Sequence, residues 1–276
     1  MQTTITPHVF EYHECSLHYW LTGPHDAPLV VFTHGADMDH SSWDHIVQLA
    51  SQQYRILTWD VRLHGLSRPG GEKFSIRQAS KDLLALLDHL GYEQATLVGH
   101  SMGGNIGQEI VFAHPERVKA LVMLDCGCNT LKLSPSEAFT VRLATALSGL
   151  FRLYPDAQLK RQSARANALK PAVQQYLYHT FCQIPKEDFL TVFIETFRCL
   201  HYEPGYHITS PLLLLVGDHD TMGNIKKIAP QWASRDHCQY HVIPDAGHCS
   251  HLDNPDAVHP LVLNFLHEHV GQDGEE

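Results

Sequence analysis

The chain has no long hydrophobic run. Its longest aliphatic stretch, Leu212 to Val216, falls far short of the roughly 20 apolar residues a membrane-spanning helix needs. Met1 to Phe10 lacks a basic region leading into an apolar core and does not read as a secretory signal. Clusters of Lys and Arg are missing too, and 20 basic against 30 acidic side chains leave a formal net charge of −10. That balance argues against nucleic acid or an anionic membrane as partner. The seven cysteines, at 15, 126, 128, 182, 199, 238 and 249, form no disulfide framework and no paired CxxC pattern for zinc. Cys126-Gly-Cys128 reads as two buried thiols, not as a ligand pair. Free thiols suit a reducing compartment, so the expected location is cytoplasmic. Internal repeats and low-complexity segments are absent. Histidine, by contrast, is abundant at 22 residues, so a histidine means little without a positional argument.

What is present is an alternation. Pro28–Thr33, Arg55–Trp59, Ala95–Val98, Val118–Leu124 and Pro211–Gly217 are short apolar runs, the pattern of strands buried on both faces. Between them, Ser41 to Ser51 and Ser75 to Leu90 have helical periodicity, with a serine as expected N-cap of the first. Such an order indicates βαβ units and a mostly parallel central sheet flanked by helices, an α/β fold. Two early strands, Val9–Glu14 and Ser16–Leu21, precede it, and Gln239–Ile243 and a helix over Pro255–His269 close it. Gly271–Glu276 reads as a frayed acidic tail. The alternation breaks from about Gly127 to Thr209. There the pattern gives only helices, near Ser136–Leu150, Asp156–Leu169, Ala172–Cys182 and Lys186–Leu200, punctuated by prolines. The expected organisation is a core of residues 1–126 and 210–276, with residues 127–209 inserted after the sixth strand as a helical cap.

The chemistry starts at Gly99-His100-Ser101-Met102-Gly103-Gly104. A strand runs into Gly-x-Ser-x-Gly and a helical pattern follows from Asn105 to Ala113, the context a nucleophile elbow requires. Its glycines allow a turn tight enough to hold the Ser101 hydroxyl at the strand tip, above the positive end of the next helix. A serine hydroxyl needs a neighbouring base, itself oriented by an acid. The order Ser, Asp, His along the chain is one known solution. His248 is the candidate base, in the loop after the last strand, with His251, His241 and His237 as competitors. Asp220 is the candidate acid, just beyond the strand ending at Val216, with Asp218 and Asp125 as rivals. Two backbone N–H groups, of Met102 and of Ala36, are the expected oxyanion donors. His34 reads as a loop-fixing residue. Asp37 either touches substrate or holds its loop, and the sequence does not separate the two.

These residues carry a resemblance. His34-Gly35 with Trp43 downstream, Asp60-x-Arg62-x-x-Gly65-x-Ser67, the elbow, Gly217-x-x-Asp220 and Gly247-His248 resemble, in this order and spacing, the capped α/β-hydrolases. The resemblance spans nearly the whole chain outside the insertion. It implies a serine hydrolase that cleaves a small to medium, moderately apolar ester through an acyl-enzyme, with no metal or organic cofactor. Lactone opening or C–C bond cleavage by the same triad is the alternative, and a ligand-binding receptor on the same scaffold is a third reading. Dehalogenases and epoxide hydrolases of this family place an aspartate where this chain has Ser101, which counts against them. For a carboxylated substrate the insertion would have to supply cations, and Arg142, Arg152, Arg161, Arg165 and Arg198 are available unless they are solvated. Its aromatics, Phe139, Phe151, Tyr154, Tyr176, Tyr178, Phe181, Phe189, Phe193 and Phe197, either line a pocket or join helices to one another, and the second is the default for each.

Overall fold

A computed structural model describes residues 7–71 and 73–270. The predicted acidic tail, and the first part of the N-terminal stretch, lie outside the described residues. Eight strands form one sheet: β1 (His8–Tyr12), β2 (Cys15–Thr22), β3 (Leu29–Thr33), β4 (Arg55–Trp59), β5 (Ala95–His100), β6 (Val118–Leu124), β7 (Leu212–Gly217) and β8 (Gln239–Ile243). Their spatial order is β1-β2-β4-β3-β5-β6-β7-β8. β1, β2 and β4 pair antiparallel, and every pairing from β4 to β8 is parallel. The strand order reverses around β3, so β3 and β5 lie side by side with their carboxyl ends at one rim. In an open sheet of this kind ligands bind at that rim.

The continuous apolar strands follow from burial on both faces. In β3, Val31 packs into one cluster with α2 (Ile76–His89), α3 (Met102–Ala113) and α8 (Ile225–Asp236), through Leu83, Ile110 and Trp232. Its neighbours Val30 and Phe32 face the opposite cluster, with Ile46 of α1 (Asp44–Ala50) and Val262 and Phe265 of α10 (Pro255–Val270). Between β6 and β7 lie α4 (Pro135–Leu147), α5 (Asp156–Asn167), α6 (Pro171–Cys182) and α7 (Lys186–Arg198). Ala164, Leu177, Phe181 and Phe189 of these helices pack with Met38 after β3 and Cys249 after β8. The inserted helices therefore rest on the loops at the carboxyl ends of the strands. Among the described residues no helix is long and apolar enough to cross a membrane.

Of the boundaries that differ from the sequence reading, two bear on the site. The helix near Trp43 is capped by Asp39, not by a serine: its carboxylate accepts from Ser41 N–H and a short 3-10 turn, His40–Trp43, precedes α1. α3 starts at Met102, three residues early. Glycine normally weakens a helix, but a Cβ on Gly104 would lie 2.6 Å from Cys126 Sγ, and Gly103 is required by close packing described below. The Asp60-x-Arg62-x-x-Gly65-x-Ser67 segment is spent on structure. Asp60 receives N–H groups of His40 and Leu66, and Ser67 Oγ accepts from His18 N–H. Arg62 forms a fully buried fork on Asp82 of α2, with Nη2 2.7 Å from Oδ1. Removing one partner of such a pair strands a buried charge, at about 3–5 kcal/mol.

Candidate active site

Ser101 sits where β5 stops and α3 begins, with φ 48° and ψ −112°. A non-glycine residue held there costs about 1–3 kcal/mol, so its surroundings must impose it. They do so by contact. A Cβ on Gly103 would lie 2.2 Å from the Thr33 carbonyl oxygen, and one on Gly99 2.5 Å from the Gly103 backbone. With hydrogens in both places, α3 can start against the end of β3. Ser101 N–H donates to Leu124 O at 2.9 Å, which fixes the turn to β6.

Asp220 and His248 arrive from the next two loops. Asp220 follows β7 in a turn closed by its N–H to Gly217 O, and its Oδ1 accepts from Met222 N–H at 2.8 Å. A Cβ on Gly217 would strike the Gly247 and Ala246 carbonyls at 2.2 and 2.4 Å. The absence of that carbon lets the His248 loop close over β7. His248 Nδ1 lies 3.0 Å from Asp220 Oδ2, and His248 Nε2 2.8 Å from Ser101 Oγ. With Nδ1 carrying the proton, Nε2 is free to accept from the hydroxyl. Burial opposes a charge on His248, but the hydrogen bond and charge of Asp220, helped by Asp125, hold its pKa above the usual histidine value. The loop is anchored from outside as well. Asp253 accepts N–H groups of Gly247, Leu169 and Lys170, which ties the His248 turn to the start of α6.

The three residues favoured as nucleophile, base and acid are therefore hydrogen-bonded in sequence, and their rivals are engaged elsewhere. Asp125 is buried, with Oδ1 accepting from Gly217 N–H and Oδ2 from Ser250 N–H and Oγ–H. Burial lifts its carboxyl to about 7. Asp218 accepts Ala246 N–H at 3.0 Å and secures the turn before His248. His251 is buried against Trp43 and His100. His241 lies within β8 and His237 ends α8 in the left-handed conformation. Met102, the first residue of α3, has an N–H in the helix's unpaired first turn. Ala36 lines the same cavity as Ser101. His34 uses both ring nitrogens on backbone, accepting from Val61 N–H and donating to Gly35 O. Cys126 and Cys128 are buried and lie beside Gln108 and Arg235 respectively.

Among the described residues, donor atoms of His100, Asp125 and His251 come within 4.8 Å of one another. Both Asp125 oxygens already accept hydrogen bonds, and His100 Nε2 donates to His248 O at 2.7 Å. His100 thereby props the backbone of His248, while its Nδ1 and both ring nitrogens of His251 are buried without a hydrogen-bond partner.

The cavity above Ser101 has a volume of about 230 Å³. Phe181, Phe189, Phe193 and Phe197 line it; the other five aromatics named from the sequence do not. Three of those four are spaced by four residues along α7, which puts them on one helix face and was a legible signal. Met222, Ile225 and Ile228, from the loop after β7 and from α8, complete the wall. Nothing in the sequence pattern marked them. None of Arg142, Arg152, Arg161, Arg165 and Arg198 lines the cavity.

The chain belongs to the alpha/beta hydrolase family, whose model matches residues 30–261. It is similar to 3-oxoadipate enol-lactonase 2 of Acinetobacter baylyi, at 25% identity over 90% of this chain and 92% of that one. It is also similar to an sn-1-specific diacylglycerol lipase of Mus musculus, at 26% identity over 89% and 83%. In fold it matches an esterase from Thermogutta terrifontis with a TM-score of 0.78, at 20% identity over 93% and 94% of the two chains.

Proposed function

We propose that the protein is a serine hydrolase that cleaves a small to medium, moderately apolar carboxylic ester through an acyl-enzyme. The observation that carries this reading is the chain of contacts from Ser101 Oγ through His248 to Asp220, opening into a cavity walled by phenylalanine. Ser101 attacks the ester carbonyl while His248 Nε2 takes the hydroxyl proton. The developing oxyanion is met by the N–H groups of Met102 and Ala36. His248 then returns the proton to the departing alcohol, and water repeats the sequence to release the acid. Asp220 holds the imidazole with its proton on Nδ1. Residues 127–209 act as a cap that sets the size of the acyl pocket, and the free thiols suit a cytoplasmic setting.

A lactone is the second reading, favoured by the enol-lactonase relative; ring opening needs the same groups. A carboxylated ring-fission substrate is disfavoured, because no Lys or Arg among the described residues lines the cavity to receive it. The deciding experiment is Ser101→Ala. Turnover of p-nitrophenyl acetate should fall by at least about 10³-fold with an unchanged melting temperature. Hydrolysis at the parent rate would end the mechanism.

A further inference from the structure

Asp37 stands beside Ala36 and lines the cavity. It is 4% exposed, and its Oδ1 is buried with no hydrogen-bond partner. A buried polar atom left in this state is costly, and the loop does not need the carboxyl. Asp39 supplies the cap of the following turn, and His34 holds the strand end to Val61. The nearest cation does not answer it either. Lys160 is buried, but its ammonium donates to Asp156 Oδ2 and Ile184 O. Among the described residues the lining offers no Lys or Arg, and four phenylalanine side chains supply aromatic surface of the kind that attracts a cation.

We infer that Asp37 is a specificity-determining residue that receives an amine-bearing substituent of the substrate, close to the scissile carbonyl. For the ester itself this rests on the hydrolase reading above. The substrate class is then an ester whose acyl part carries a primary amine near the carbonyl, such as an amino-acid ester. Its ammonium pairs with the Asp37 carboxylate and its side chain packs on the phenylalanines. The charge the cavity lacks is brought in by the ligand. Burial keeps the Asp37 carboxyl well above the usual carboxylate range, with Lys160 opposing and Asp188 adding to the effect.

The test compares a valine 4-nitrobenzyl ester with the 3-methylbutanoate ester, which differs by the amine alone. At pH 7 the parent should show kcat/KM at least tenfold higher for the amino ester, and Asp37→Asn should bring the ratio close to one. Asparagine keeps the side-chain shape and tolerates the φ of 61° at this position. Calorimetric binding of valinamide and 3-methylbutanamide to Ser101→Ala reads the same preference without turnover. Equal binding of the two amides, or a parent-like ratio in Asp37→Asn, overturns the inference and leaves hydrolysis at Ser101 standing. If the parent hydrolyses neither ester yet binds valinamide at least tenfold more tightly, with the margin lost in Asp37→Asn, the hydrolase reading fails and the amine anchor stands.

Discussion

A serine hydroxyl keeps its proton at neutral pH, and nothing in Ser101 itself changes that. In the mechanism proposed above the work falls to His248, which must be neutral to accept and must become positive without leaving Ser101. Asp220 serves the second need and thereby burdens the first, since it raises the pKa of His248 above the usual 6.5 despite burial. kcat/KM should therefore fall as pH drops through that raised value, with the acid limb centred above 6.5. The stability term runs the other way. The pair contributes fully below the unfolded-state pKa and is lost as pH rises through the folded value. Asp220→Asn should lower kcat by about 10⁴-fold and shift the acid limb to lower pH, read from pH–rate profiles of both proteins. A limb that stays in place would mean that Asp220 does not set the charge of His248. That Ser101, His248 and Asp220 come together was legible in the sequence because each follows a strand end marked by glycine, where local pattern and spatial position coincide. Asp125 shares that address. Only coordinates show its two oxygens committed to Gly217 and Ser250. The unpartnered Oδ1 of Asp37 was invisible for a related reason: lacking a partner is a property of the surroundings, not of the residue.

At the scale of elements, the site depends on how closely α3 approaches β3. Gly103 is the point of closest approach, since any side chain there meets backbone that cannot rotate away. Gly103→Ala should destabilise by about 1–3 kcal/mol or more and depress esterase turnover, because the turn holding Ser101 must shift with the helix. Gly149, with nothing within 4 Å of its missing Cβ, is the control, and Gly149→Ala should change stability by less than about 0.5 kcal/mol. Urea denaturation of the pair checks both. A Gly103→Ala protein as stable and active as the parent would mean that the elbow has slack the packing does not show. Strands, helices and their order were readable from apolar pattern, because each core strand is buried on both sides, α2 and α10 on one, and α3 is announced by the glycines of the elbow. The cavity wall was less readable. Phe189, Phe193 and Phe197 share a face of α7, but which face turns toward Ser101 depends on contacts with loops far away in sequence. Met222, Ile225 and Ile228 reach the cavity only because α8 lies beside that rim.

Taken as a whole, the molecule stores its thiols in its packing. Cys15, Cys126, Cys128, Cys199 and Cys249 are buried, Cys238 is half-buried, and Cys182, the last residue of α6, is exposed. The thiolate is the reactive form. Burial works against it, pushing Cys15 up to about 11 and Cys238 to about 12, and Cys126 and Cys249 well above the usual thiol range. Cys128 lines the cavity, yet it too is pushed up by burial, with Arg235 only partly opposing. Its place in the cavity wall therefore does not make it a reactive thiol. The native protein should react rapidly with a disulfide reagent such as DTNB at one site, Cys182, and slowly at Cys238. All seven thiols should titrate in guanidinium chloride. Because the five buried cysteines are distributed over β2, the loops after β6 and β8, and the residue that follows α7, their reaction requires loss of the sheet and of its helices together. Their labelling rate in intermediate denaturant should then follow global unfolding measured by circular dichroism. If Cys199, at the end of α7, reacts well before Cys15 in β2, the inserted helices open independently of the sheet, and the pocket they wall is the first part of the molecule to be lost.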